Sequence, residues 1–308
     1  MKKQSILGLV GPTASGKSAL ALKAAQALHG EIVCMDSMQV YRGMDIGTAK
    51  PVPEEQALVP HHLLDIVEPG RPFSVAEYKE RAGAAIEGIL SQDRLPVLCG
   101  GTGLYLRALS RGMDFGSTPG DPAVRAGYFL LAQEKGNEAV HAILQEKDPL
   151  SAARLHPNNL RRVVRALEVL EVTGQPFSAQ QMLKDSDGPY DLQLFALSWP
   201  RETLYRRINE RVTAMLETGL LGEVRALLES GVPTDAQSMQ GLGYKELVPA
   251  VRGEIPLADA VELLSRRTRN YAKRQLTWFR ADQRITWLDG ADGIEKNLQI
   301  IISEMSKT

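Results

Sequence analysis

The stretch Gly11-Pro12-Thr13-Ala14-Ser15-Gly16-Lys17-Ser18 matches the pattern G-x-x-x-x-G-K-[ST] at every fixed position, and it dictates the local fold around it. Residues 6–10 before it are aliphatic or glycine and read as a buried strand. Residues 19–28 after it are rich in Ala and Leu and read as a helix. A loop of this type works between a strand and a helix. Its glycines let the backbone curl until consecutive N–H groups converge on one anion. The N-terminus of the following helix adds partial positive charge at the same point. Lys17 supplies a mobile cation, and the Ser18 hydroxyl is a ligand for Mg²⁺. The motif therefore fixes a site for a di- or triphosphate, without saying whether that phosphate belongs to a nucleotide.

Composition narrows the class. A chain of 308 residues with 44% hydrophobic content holds one large domain or two modest ones. Its formal net charge of −1 excludes a polycation, so any nucleic-acid site must be a local basic patch. The two cysteines, Cys34 and Cys99, lie in apolar runs without CxxC spacing. They are expected as buried free thiols in a reducing compartment, and their spacing argues against a zinc site. No apolar run approaches the ~18–20 residues of a membrane span. The N-terminal residues run straight into the first strand without a signal peptide, and a cytoplasmic protein is expected.

Along the first 110 residues short apolar runs alternate with helical stretches, which predicts a parallel sheet covered by helices. Strands are predicted at 31–35, 63–67 and 95–99. Residues 74–90 read as a helix capped by Ser74, with Glu77 three positions on completing a capping box. Residues 113–122 and 185–189 have loop composition, and between them the pattern is helical. The clearest case is 161–172, with Val163, Val164, Leu167 and Leu170 on its apolar side. Strand character returns at 194–199. Helices follow at 202–217, 221–230 and 257–279, and a last strand at 285–288. The reading is an α/β core, residues 1–112 and 191–308, with an inserted helical domain at 113–190.

Asp36 closes the second strand. In open parallel sheets ligands bind beyond the carboxyl ends of the strands, so its carboxylate is expected in the same crevice as the phosphate loop. It suits a water-mediated Mg²⁺ ligand, a general base, or simply a cap for the next turn. Thr102, within Gly100-Gly101-Thr102-Gly103, ends another strand, and the glycines suit close approach of a ligand or a plain turn. Gln39 has the geometry for an adenine edge and Tyr41 a ring for stacking, although many exposed loops carry such residues. The Arg161-Arg162-Arg165 cluster and the basic helix carrying Arg266 to Arg274 suit nucleic-acid phosphates or a solvated face. His61 and His62 are adjacent, so on a strand they face opposite sides and do not share a metal.

Taken in order, residues 11–18, 36–51, 60–65, 73–78, 100–105, 161–169, 241–246 and 271–279 resemble the tRNA dimethylallyltransferases, also called tRNA isopentenyltransferases. General phosphate-loop kinases share only the first segment. Without a Cys/His array, the likeness is to the shorter bacterial type. The resemblance implies a phosphate-loop NTPase-like parallel sheet with helices on both faces plus an inserted all-helical domain. It implies transfer of a dimethylallyl group from its diphosphate to N6 of adenosine 37, in anticodon loops with an A36-A37-A38 run. Gly11, Pro12, Thr13, Ala14, Ser15, Gly16, Lys17 and Ser18 would hold the diphosphate, with Mg²⁺ on Ser18. The implied catalytic residues are Asp36 as acceptor of the N6 proton, Thr102 beside it, Arg211 and Lys17. The implied tRNA contacts are Asp36, Ser37, Met38, Gln39, Thr102, Arg161, Arg162, Val163, Val164, Arg165, Gln240 and Lys245. The partners expected are a tRNA anticodon stem-loop and dimethylallyl diphosphate, with no membrane and a monomeric enzyme. An adenylate isopentenyltransferase and a small-molecule kinase using ATP remain as alternatives at this stage.

Overall fold

The computed structural model describes residues 4–110, 120–182 and 188–307, with the backbone alone for 180–182. The chain divides into two compact units, residues 1–110 with 189–308 and residues 111–188. The first unit opens with β1 (Gln4–Val10), α1 (Lys17–Ala27), β2 (Gly30–Cys34), α2 (Pro53–Leu58), β3 (His61–His62), α3 (Val75–Leu90), β4 (Leu95–Gly100) and α4 (Gly103–Ser110). The second unit contributes α5 (Pro122–Lys135), α6 (Asn137–Lys147), α7 (Pro149–Ala152), α8 (Leu160–Thr173) and α9 (Phe177–Met182). The chain then returns with β5 (Tyr190–Ser198), α10 (Arg201–Glu217), α11 (Leu220–Glu229), α12 (Tyr244–Val251), α13 (Leu257–Arg280), β6 (Ile285–Asp289) and α14 (Gly293–Met305).

The six strands form one parallel sheet in the order β3-β2-β4-β1-β5-β6. From Ile6 to Val10 the central strand β1 is a continuous buried apolar run because both its faces are covered there. Leu7 and Leu9 pack on one side with Leu20 and Ala24 of α1 and Leu298 and Ile301 of α14. Ile6 and Val10 belong to the opposite layer, with Ile86 of α3 and Leu264 and Phe279 of α13. The chain passes from β1 toward β2 on one side and from β4 to β5 on the other. This reversal of order beside β1 is where open α/β sheets hold ligands.

Local chemistry explains the element ends. Ser74 Oγ accepts the Glu77 N–H at 3.1 Å and starts α3. Gly16, at φ 96°, makes the left-handed entry to α1 that the curled loop before it requires. The strand expected at 63–67 does not form. Leu63 and Asp65 take φ of 68° and 54°, left-handed values no strand can accommodate, and only His61–His62 pairs with β2. α4, α12 and α14 were not apparent as helices. α4 is eight residues long and follows directly on a glycine run, and α12 has Pro249 inside it. The loops expected at 113–122 and 185–189 lie mostly outside the described residues.

In the second unit Val140, Leu144, Val163, Val164 and Leu167 form the core. Glu168 is buried among them. Its carboxylate accepts from Arg165 at 2.5 Å, Arg125 at 2.7 Å and the Asp121 amide at 2.7 Å.

Candidate active site

A cavity of about 310 Å³ opens beyond the carboxyl ends of β1, β2 and β4. Its anion-binding end is the loop between β1 and α1, where Thr13, Lys17 and Ser18 line the wall. The back of that loop is held from outside. Trp199 Nε1 donates to Ser15 O at 2.8 Å, and Arg207 Nε donates to Ala14 O at 2.9 Å while its guanidinium lies over the Trp199 ring. Lys17 Nζ rests on Pro12 O at 3.2 Å. Burial pushes its ammonium below the ordinary value, Arg211 adds to that, and Asp36 opposes it. Burial lowers Arg211 too, again against the Asp36 charge. Two cations and one carboxylate thus converge, leaving an excess of positive charge that a diphosphate would neutralise.

Asp36 lines the cavity just past β2. Its Oδ1 accepts the Met38 N–H at 2.8 Å, so it also caps its own turn and leaves Oδ2 free of that bond. Thr102 does not line the cavity wall. Its Oγ1 accepts the Ser37 N–H at 3.1 Å and its own N–H donates to Met35 O at 3.2 Å, which holds Asp36 from both flanks. Ser37, Met38 and Gln39 line the wall. Gln39 is less available to a base than the sequence suggested. Its Nε2 donates to Thr48 O at 3.1 Å and Ala49 O at 2.9 Å, and its Oε1 accepts from Cys34 at 3.1 Å.

The opposite wall comes from α10 and α13. Ile208, Arg211, Val212 and Met215 project from α10, and Leu264, Thr268, Tyr271 and Gln275 form one stripe of α13 at helical spacing. Tyr271 is held protonated by burial and by the Asp36 charge. The cavity therefore combines the polar phosphate loop with apolar wall residues, Val212, Met215 and Leu264 from one core layer and Leu22 and Ile32 from the other. Gln240 and Lys245 line the rim. Gln240 also donates to Thr234 O at 2.9 Å, and Lys245 lies 3.9 Å from Glu246.

Several expected residues fall elsewhere. Val163 and Val164 are fully enclosed in the core of the helical unit, so they cannot touch RNA; their spacing marks the inward face of α8. Arg161 and Arg162 are exposed on the same helix, while Arg165 is partly engaged with Glu168. Cys34 is buried, but Cys99 is only half-buried and lines the cavity; burial raises both thiols above their ordinary range. His61 Nδ1 bonds Val59 O at 2.7 Å and His62 Nε2 pairs with Glu31 at 2.7 Å. Gln275 and the Glu223–Tyr244 pair, both central to the cavity frame, were not singled out. Gln275 and Tyr244 lie in segments that carry the family resemblance, but their partners are distant in sequence, and Glu223 lies in no such segment.

Among the described residues no group of three or more His, Cys, Asp or Glu side chains could hold a metal by itself. The hard oxygen donors present, Ser18 and Asp36, suit Mg²⁺ in the manner it normally prefers, with substrate phosphate completing the shell.

A phosphate loop facing a half-apolar cavity at the reversal point of a parallel sheet defines the class: a phosphate-loop α/β enzyme of group transfer. Comparisons refine it. The family profile described as IPP transferase matches residues 39–282, and the one described as isopentenyl transferase matches residues 4–65. tRNA dimethylallyltransferase 1 of Trichlorobacter lovleyi is 50% identical, over 93% of this chain and 94% of its own. The crystal structure of a tRNA isopentenylpyrophosphate transferase from Staphylococcus epidermidis superposes with a TM-score of 0.74 at 40% identity, over 99% of this chain and 100% of its own. A eukaryotic dimethylallyltransferase crystallised acting on tRNA gives a TM-score of 0.81 at 29% identity, over 93% of this chain and 74% of its own. The chain belongs to the tRNA dimethylallyltransferase family of prenyltransferases.

Proposed function

We propose that this enzyme transfers the dimethylallyl group of dimethylallyl diphosphate to N6 of adenosine 37 in tRNAs bearing an A36-A37-A38 run, with release of diphosphate. The observation that carries the reading is the convergence of Lys17, Arg211 and Asp36 on one cavity whose wall also carries apolar side chains. An anion with a short hydrocarbon tail matches such a lining.

The chemistry follows from charge. As the allylic carbon leaves, negative charge grows on the bridging diphosphate oxygen. The loop amides of residues 14–18, Lys17 and Arg211 would face that charge in a water-poor site, where fixed donors count most. Mg²⁺ held by Ser18, and by Asp36 through water, would supply further electrostatic stabilisation of the diphosphate. The exocyclic amine of adenine is a weak nucleophile, and the Asp36 carboxylate accepts its proton as the C–N bond forms. Thr102 keeps that carboxylate in place from both flanks. The target base must leave its stack to enter the cavity, with Ser37, Met38, Gln240 and Lys245 at the entry. Arg161 and Arg162 of the helical unit serve the stem phosphates. We read the enzyme as a monomer that acts on tRNA in the cytoplasm. Among the described residues no helix is long and apolar enough to cross a membrane.

The test is transfer of radiolabelled dimethylallyl diphosphate to an anticodon stem-loop containing A36-A37-A38, beside a reaction offered AMP. Label in the RNA alone is expected. Label in AMP would move the enzyme to the free-nucleotide class, and label in neither would overturn the assignment of the loop to a prenyl diphosphate.

A further inference from the structure

We infer that Gln275 is a positioning residue that sets the separation between the phosphate loop and Asp36. The inference rests on the prenyl-transfer reading above. The buried side-chain amide of Gln275 reaches from α13 to two strand ends at once. Its Oε1 accepts the Thr13 N–H at 2.9 Å, and its Nε2 donates to Gly101 O at 2.9 Å. The fit is tight: a Cβ on Gly101 would lie 2.1 Å from Gln275 Nε2. The residue after Gly101 is Thr102, which grips the peptides on both sides of Asp36, through Met35 O at 3.2 Å and the Ser37 N–H at 3.1 Å. A continuous run of hydrogen bonds thus joins the loop that would hold the leaving group to the carboxylate that would receive the proton.

At neutral pH an amide of this length serves both ends. Thr13 presents a donor and Gly101 an acceptor, so one side chain must accept at one end and donate at the other. Met fills the volume without either bond. Ionised Glu still accepts from Thr13, but places a charge against Gly101 O with no proton to offer. Gln275 itself need not touch either substrate for its loss to matter. Transfer requires the amine and the allylic carbon in near-attack geometry, and a displacement of ~1 Å costs about 10²-fold in rate. Binding of each substrate depends on contacts that this displacement leaves in place.

The experiment compares full-length wild type, Gln275→Met and Gln275→Glu in transfer from dimethylallyl diphosphate to the anticodon stem-loop. For Gln275→Met, kcat is expected to fall about 10²-fold, with KM for both substrates within threefold. For Gln275→Glu, activity relative to wild type is expected to rise as pH falls from 8 to 5.5. A carboxyl in this buried place protonates readily and then donates to Gly101 O as the amide does. A folded Gln275→Met with kcat within threefold of wild type overturns the inference, as does a loss that resides in KM. If Gln275→Met does not fold, a pH-independent ratio for Gln275→Glu overturns it instead. Absence of transfer by the wild type overturns the prenyl-transfer reading first, and is seen before any variant is assayed.

Discussion

The Tyr244 hydroxyl donates to the Glu223 carboxylate at 2.6 Å. That carboxylate also accepts the backbone N–H groups of Asp45, Ile46 and Gly47, at 2.8, 2.7 and 3.0 Å. Gly47 and Tyr244 both line the cavity. One side chain on α11 therefore clips down the loop that follows Asp36, while the Tyr244 ring sits where a Gly47 side chain would be. Burial, followed by the Glu223 charge, keeps the Tyr244 hydroxyl protonated and donating.

Glu223→Ala removes an acceptor shared by four donors, whereas Tyr244→Phe removes one donor from a carboxylate that water can still reach. Hydrogen bonds to a charged group contribute about 1.5–3 kcal/mol each, so the alanine variant should open the loop locally by at least tenfold. Amide exchange at Ile46 and Gly47 reads this directly. Glu223→Ala should speed it at least tenfold, and Tyr244→Phe should change it little. Unchanged exchange in the alanine variant would show that the loop holds itself.

Asp36→Asn separates the two tasks of this residue. Asparagine keeps an oxygen for the Met38 N–H, so the turn survives, but it accepts no proton at neutral pH. Single-turnover transfer should fall about 10²–10⁴-fold, the usual worth of a general base, while stem-loop affinity in a filter-binding assay stays within a few-fold. Equal losses in both would assign Asp36 to binding.

The parts legible in the sequence were those written locally. The phosphate loop is legible because its glycines and Lys17 must be consecutive, and Asp36 because a strand end and a turn meet there. Ser74 announced α3 by a side chain three residues before the amide it caps. The frame around these parts is written in contacts across the whole chain. Gln275 bonds residue 13 across 262 positions of sequence, and Glu223 reaches back 176 to 178 positions. Gln275 lies in a segment that carries the family resemblance, but nothing local marks its partners, and Glu223 lies in no such segment. The failed strand at 63–67 shows the opposite error. Its apolar run is that of a strand, but Leu63 and Asp65 take left-handed backbone and Asp65 pairs with the buried Lys50 at 2.5 Å. Val163 and Val164 show a third. A basic cluster on a helix carries apolar residues between its arginines, and these face the core.

Glu168 gives the helical unit a stability that depends on acid. Burial alone would raise its carboxyl, but the bonds from Arg165, Arg125 and the Asp121 amide outweigh this and hold it below the usual carboxylate range. A lowered folded value means that the contribution is complete above the unfolded pKa of about 4.3 and is lost as pH falls through the folded one. Removing one partner of a buried ion pair costs about 3 kcal/mol. Hydrogen exchange of the α8 amides, corrected for intrinsic rate, should therefore show Glu168→Gln less protected than wild type at pH 7, with the gap narrowing below pH ~4. A gap independent of pH would assign the loss to packing.

The exposed guanidinium groups of Arg161 and Arg162 should act on tRNA through phosphate charge alone. A cation that neutralises one phosphate releases bound counterions, which steepens the fall of affinity with salt by about 0.7–0.9 per contact. The double variant Arg161→Ala/Arg162→Ala should accordingly bind the anticodon stem-loop more weakly at low salt and show a log–log salt slope shallower by about 1–2. The steady-state KM for dimethylallyl diphosphate should not move, since neither residue lines the cavity. A parallel salt plot, weaker at all concentrations by the same factor, would mean that the two arginines shape the helix and not the charge that meets the RNA. A shift in the diphosphate KM would instead tie this helix to the cavity itself.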